Sequence, residues 1–174
     1  MKNKLRKEAL EKRRSLDCVK LSEEIIKNLI STKEYKVSKN IINYYPLKYE
    51  TDTKVLFNDK TKKWYLPRVK GEFLEICPFG KIGKGSFGIQ EPKTEAINDY
   101  TKINMIIIPA CAADRCGYRI GWGKGYYDRF LPLLPKECLK VVLVYSSLIY
   151  ESIFPSKYDI NADMIVTDKE ILII

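Results

Sequence analysis

The chain has 174 residues, 45 % of them apolar, which suffices for one ordinary core, and no apolar run approaches the roughly 20 residues of a membrane span. It contains no histidine, which excludes a Ser-His-Asp triad, a Cys-His pair and an imidazole zinc site, so acid–base chemistry must come from carboxylates, lysine, tyrosine, a metal or the substrate. The formal charge of +9 predicts an anionic partner, and the five scattered cysteines, never spaced C-x-x-C, fit a reducing compartment rather than a disulfide framework.

Taken in chain order, residues 2–16 predict a helix with Leu5, Ala9 and Leu16 on one face and Lys2, Arg6 and Arg13 as a basic stripe beside it, placed to overhang a cleft. This segment is strongly cationic, with Lys2, Lys4, Arg6, Lys7, Lys12, Arg13 and Arg14 against Glu8 and Glu11. A second helix is expected from Asp17 to Ile30, burying Leu21, Ile25 and Leu29. Lys39–Tyr45 is a β-branched apolar run ended by Pro46 and predicts a strand. Thr53–Asp59 reads as a short helix, and Lys63–Leu66 and Phe73–Cys77 as strands. Gly80–Pro92 holds four glycines and reads as a loop. Asn104–Pro109 is the strongest strand, its unbroken apolar run expected inside a parallel sheet. A loop over Asp114–Gly125, a helix over Tyr126–Leu134 and strands at Leu139–Tyr145 and Met164–Thr167 complete an α/β pattern: a single domain, 1–174, with a mostly parallel central sheet flanked by helices, two of them N-terminal.

The chemistry concentrates in Gly117–Asp128, GYRIGWGKGYYD. Glycines at alternate positions between a buried strand and a helix let backbone N–H groups face an anion, and Arg119 and Lys124 add full charges, so phosphate is the expected ligand. The segment is neither a Walker A loop, since Gly-Lys lacks a following Ser or Thr, nor the dinucleotide fingerprint, whose glycine spacing differs. Asp128, in the first turn of the predicted helix, is either a stabilising first-turn acid or a magnesium ligand beside bound phosphates. Asp163 and Asp114, each at a strand end, are candidates for a second carboxylate, with Asp163 preferred.

The RIGWGKGYYD segment, preceded by IIIPACAAD, resembles the signature of 5-formyltetrahydrofolate cyclo-ligases. The Lys-x-x-Leu-Arg of Lys2–Arg6, YPLKYETDT at 45–53, LPR at 66–68 and FGIQEP at 87–92 resemble that family in order and spacing, whereas Ala113 stands where an aromatic is usual. The resemblance implies that ATP is held by Lys2, Asn3, Lys4, Leu5 and Arg6 together with Arg119, Ile120, Gly121, Trp122, Gly123, Lys124, Gly125, Tyr126 and Tyr127. It implies that Asp128 and Asp163 hold Mg²⁺, that Tyr45 and Glu50 contact the folate, and that Lys124 and Arg119 stabilise transition-state charge. The implied reaction is phosphoryl activation of the 5-formyl oxygen followed by ring closure through N10. A cytoplasmic monomer is expected, acting on ATP and 5-formyltetrahydrofolate with a glutamate or polyglutamate tail, with neither nucleic acid nor membrane as partner. Two rivals predict different behaviour: a nucleic-acid-binding module would bind oligonucleotides with steep salt dependence, and an unrelated ATP enzyme would have no use for Tyr45 and Glu50.

Overall fold

The computed structural model describes residues 1–85 and 88–174. Helix α1 (Lys2–Arg13) is followed by α2 (Cys18–Ser31), whose N-terminus is capped by Asp17 accepting from the Lys20 N–H at 3.1 Å, and by a short α3 (Lys33–Val37) that the sequence reading did not anticipate. Among the described residues twelve strands follow or interleave: β1 (Asn40–Ile42), β2 (Lys63–Lys70), β3 (Phe73–Pro78), β4 (Ile82–Lys84), β5 (Gln90–Pro92), β6 (Met105–Pro109), β7 (Ala112–Asp114), β8 (Arg119–Ile120), β9 (Leu139–Leu143), β10 (Ile149–Tyr150), β11 (Met164–Val166) and β12 (Ile171–Ile173). Helix α4 (Tyr126–Phe130) lies between β8 and β9.

The main sheet has seven strands in the order β12-β11-β9-β6-β1-β2-β3. The five inner strands run parallel, and only the outermost pairs, β11 with β12 and β2 with β3, are antiparallel. Met105, Ile106, Ile107 and Ile108 of β6 are fully buried at its centre, as a strand covered on both faces requires. Helix α2 buries Ile25, Ile26 and Leu29, and its Asn28 side chain donates to the Thr167 carbonyl at 2.8 Å, docking the helix beside β11. This is the α/β architecture read from the sequence, and no helix among the described residues is long and apolar enough to cross a membrane.

The chain runs outward from β1 through β2 to β3, then returns to the other side of β1 with β6 and continues to β9 and β11. The order therefore reverses between β1 and β6, and the crevice beyond the carboxyl ends of those strands is where such sheets take ligands.

Three expectations change. The Gly80–Pro92 loop contains a two-stranded hairpin, β4 with β5, in which Ile82 pairs with Pro92 and packs against the core, while Phe87 of its FGIQEP segment lies outside the described residues. The Asp114–Gly125 loop contains β8, paired antiparallel with β7. The helix expected over Tyr126–Leu134 stops as α at Phe130 and continues as a 3₁₀ turn over Leu131–Leu133, because Pro132 lacks the N–H that another α turn would need.

Candidate active site

A cleft of about 530 Å³ opens at the switch point, within the usual range for a small-molecule site. Tyr44 and Tyr45, just beyond β1, and Pro109, the last residue of β6, line it together with the unbroken run Arg119–Asp128.

On the β1 side the turn Leu47–Glu50 closes through the Glu50 N–H on the Leu47 carbonyl at 3.0 Å, with Tyr49 at φ 69° in the left-handed region. This brings Glu50 inward, where one carboxylate oxygen accepts the Leu47 N–H at 2.7 Å and the other the Trp122 indole N–H at 2.8 Å. Burial pushes the Glu50 carboxyl above its ordinary 4.5, opposed by those two N–H donors and by Arg13. Tyr44 is buried and donates to the Thr51 carbonyl at 3.0 Å, and Tyr45 is half-exposed at the cleft wall.

The glycine loop supplies another part of the lining. Gly123 sits at φ 92° with the Arg6 guanidinium 3.3 Å from where a Cβ would stand, and Arg6 donates to the Gly121 carbonyl at 2.7 Å. Gly125, at φ 68°, is the cap residue of α4, and a Cβ there would meet Arg129 at 2.9 Å. Side chains at either position would both strain the backbone and push away a cation that shapes the loop. Lys124, between them, is exposed at the cleft mouth. Because α4 spans only five residues, an anion at this loop would be held by loop N–H groups and cations more than by a helix macrodipole.

Arg119 is almost wholly buried and doubly committed: it donates to the Ile160 carbonyl at 2.7 Å and to Asp128 Oδ1 at 2.9 Å. The Ile160 N–H also points at Oδ1, at 3.4 Å, so both hydrogen bonds to Asp128 use one oxygen. The loop is further braced by the β2–β3 hairpin. Tyr126 Oη donates to the Gly71 carbonyl at 3.3 Å, and Arg129 donates to the Glu72 carbonyl at 3.0 and 2.6 Å and to the Lys124 carbonyl at 3.0 Å.

Several expected site residues lie elsewhere. Of Lys2–Arg6, only Lys2 and Arg6 line the cleft; Asn3 and Lys4 are exposed, Asn3 accepting from Arg6, and Leu5 packs on the core. Arg13 is not on a solvated stripe: it is 2 % exposed, donates to the Ala110 carbonyl and sits 5.8 Å from the Tyr145 ring, since the α1 face that carries it packs towards β7. Asp163 precedes β11 and so stands at the amino end of the parallel strands, away from the cleft. There it accepts the Lys140 N–H at 2.8 Å and pairs with the Lys140 ammonium at 2.7 Å. Asp114 is likewise buried outside the cleft, accepting the N–H groups of Cys116, Tyr118 and Ile153.

A further aspartate that lines the cleft besides Asp128 is Asp159, which the sequence reading missed. It bonds Lys2 and the Ser156 N–H; burial raises its pKa, but these donors outweigh that and hold the carboxyl below its ordinary value. Its only sequence signal is an acid in the loop before β11, and its partner lies 157 residues away. Among the described residues no group of three or more Cys, His, Asp or Glu is arranged as a metal cage. The pair Asp128 and Asp159 lining the cleft with the glycine loop fits Mg²⁺, which binds through one or two carboxylates plus substrate phosphates.

A model of the 5-formyltetrahydrofolate cyclo-ligase family matches residues 1–168. The chain belongs to this family. A 5-formyltetrahydrofolate cyclo-ligase of Mycoplasma pneumoniae is 28 % identical over 172 residues, covering 97 % of this chain and 99 % of the relative. Among solved structures, the NMR structure of Aquifex aeolicus 5,10-methenyltetrahydrofolate synthetase superimposes with a TM-score of 0.87 at 38 % identity, covering 99 % of this chain and 92 % of the other. A 5,10-methenyltetrahydrofolate synthetase from Mycoplasma pneumoniae gives a TM-score of 0.80 at 25 % identity, covering 97 % and 99 %. The cyclo-ligase family is a family of enzymes, and the cleft just described is the candidate active site of this member.

Proposed function

We propose that the chain converts 5-formyltetrahydrofolate to 5,10-methenyltetrahydrofolate with consumption of ATP and release of ADP and phosphate. The observation that carries this reading is that one cleft is lined by two unlike sets of residues: the cationic Lys2, Arg6 and Lys124 loop, and Tyr45 and Glu50 from beyond β1. A nucleotide and a second, hydrogen-bonding substrate can lie there side by side.

The formyl oxygen attacks the γ-phosphorus as the bond to ADP breaks. N10 then adds to the activated formyl carbon and loses its proton, and the C–O bond breaks to release phosphate with the electron pair. The nucleophiles belong to the substrates, so a chain without histidine loses nothing essential; its residues position groups and stabilise charge. Lys124 supplies the cation at the transferred phosphoryl group. Arg119, with its guanidinium already committed, fixes Asp128 and adds charge at the wall. Magnesium would be held by Asp128, with Asp159 as the neighbouring carboxylate, and when bound it neutralises phosphate charge. Glu50 accepts hydrogen bonds from the folate.

Purified protein mixed with 5-formyltetrahydrofolate and MgATP is expected to form ADP and the near-ultraviolet absorbance of the methenyl product in step, and neither when ATP or Mg²⁺ is omitted. A folded, ATP-binding protein that makes no product would overturn the reading in favour of an ATP enzyme of other specificity.

The Glu50 environment sets a pH dependence. Because its folded pKa is raised, Glu50 gains a proton, and loses acceptor capacity, at a higher pH than a free glutamate does. Folate affinity is therefore level above that pKa and falls as pH drops through it, at a pH above 4.5. Titrating the folate calorimetrically across pH checks this, and Glu50→Gln should weaken binding and remove the acid limb; a limb that survives in the variant belongs to another group.

A further inference from the structure

Glu50 and Trp122 come from separate stretches of chain that line the cleft, the β1 side and the glycine loop, and they are joined by a 2.8 Å hydrogen bond. Glu50 is held in place by burial and by the Leu47 N–H. Trp122 is 45 % exposed and lies between Gly121 and Gly123, so neither packing nor a stiff backbone orients its ring. The fixed carboxylate does. The same loop carries Lys124 one residue beyond Gly123, and Arg6 anchors it through the Gly121 carbonyl.

We infer that Trp122 is a positioning residue that sets the nucleotide loop from the folate-binding residues and thereby couples the affinities of the two substrates. The assignment of ligands to the two parts of the lining rests on the function proposed above. A carboxylate offers about four acceptor sites, and the indole uses one of them. A donor arriving from the folate adds to that bond instead of displacing it, and it stabilises the ionised carboxylate, whose bond to the indole is the stronger, charge-assisted kind. The coupling is therefore positive, and by linkage each ligand tightens the other by the same factor.

The test is a double-mutant cycle on nucleotide affinity. The magnesium complex of a non-hydrolysable ATP analogue is titrated calorimetrically into the wild type, Glu50→Gln, Trp122→Phe and the double variant. Phenylalanine keeps an aromatic ring but lacks the N–H, and glutamine keeps the shape but lacks the charge. Although Glu50 belongs to the β1 side of the lining and not to the glycine loop, Glu50→Gln alone is expected to weaken nucleotide binding about fivefold, at the low end of ordinary coupling. In the Trp122→Phe background the same change should matter less than about twofold, because the path between the two parts of the lining is already cut. Additive effects would overturn the inference, as would an unchanged affinity in Glu50→Gln. In a second arm, 5-formyltetrahydrofolate should tighten the analogue about fivefold in the wild type and not in Trp122→Phe; equal tightening in both sinks the inference. Failure of the folate to bind the wild type sinks the proposed function instead, and the first arm, which contains no folate, still decides the role of Trp122.

Discussion

Replacing Lys124 with alanine is expected to lower kcat/KM for MgATP by at least about 100-fold, the usual cost of removing one preorganised charge partner from a transition state. Lys124 brings a full charge to the glycine loop within the run Arg119–Asp128 that lines the cleft. Lys124 sits at the exposed crest of the loop, between two glycines with positive φ, where the phosphoryl end of a nucleotide would meet it. Steady-state kinetics would separate the possibilities: a fall in kcat with little change in KM assigns Lys124 to the transition state, and a rise in KM alone assigns it to ground-state binding. An unchanged rate removes it from the mechanism.

Asp128→Asn should be nearly as damaging, with a loss of at least 10- to 100-fold, the range seen when even the partners of metal ligands are changed. Asparagine still offers an oxygen to Arg119 and the Ile160 N–H, so the local frame survives while the negative charge disappears. Two readouts distinguish a metal ligand from a structural acid. The Mg²⁺ concentration giving half-maximal activity should rise, and calorimetry of the ATP analogue should lose most of the difference between titrations with and without Mg²⁺. A variant with full Mg²⁺ dependence and a lowered melting temperature would place Asp128 with Arg119 as a structural pair only.

The fold was largely readable because its signals are local. The apolar run of β6 and the Asp17-capped, amphipathic α2 declare themselves within a few residues, and the glycine loop is a single contiguous motif. What escaped depends on distance or on geometry that no period encodes. The Asp159–Lys2 pair spans nearly the whole chain. Asp163 and Asp159 both precede β11 and differ little as letters; Asp163 sits directly at the strand's amino end, and the path of the loop before it carries Asp159 to the cleft. Arg13 shares a helical stripe with Lys2 and Arg6, but that stripe curves under the packed face of α1 within three turns and carries the guanidinium to the Ala110 carbonyl. The β4–β5 hairpin was hidden by its glycines, which also permit close approach: a Cβ on Gly85 would fall 1.9 Å from Glu91.

The grip of Tyr126 and Arg129 on the tip of the β2–β3 hairpin ends entirely on main-chain oxygens of Gly71 and Glu72. Such a grip is blind to side-chain identity at Glu72 but sensitive to the length and path of the turn. Position 72 is thus free to drift in sequence over evolution, whereas Gly71, at φ 61°, is not, and insertions and deletions there are selected against. For protein engineering the same asymmetry is a warning: this surface turn looks like a convenient place for an epitope tag or a fused reporter, yet lengthening it would release a brace of the nucleotide loop.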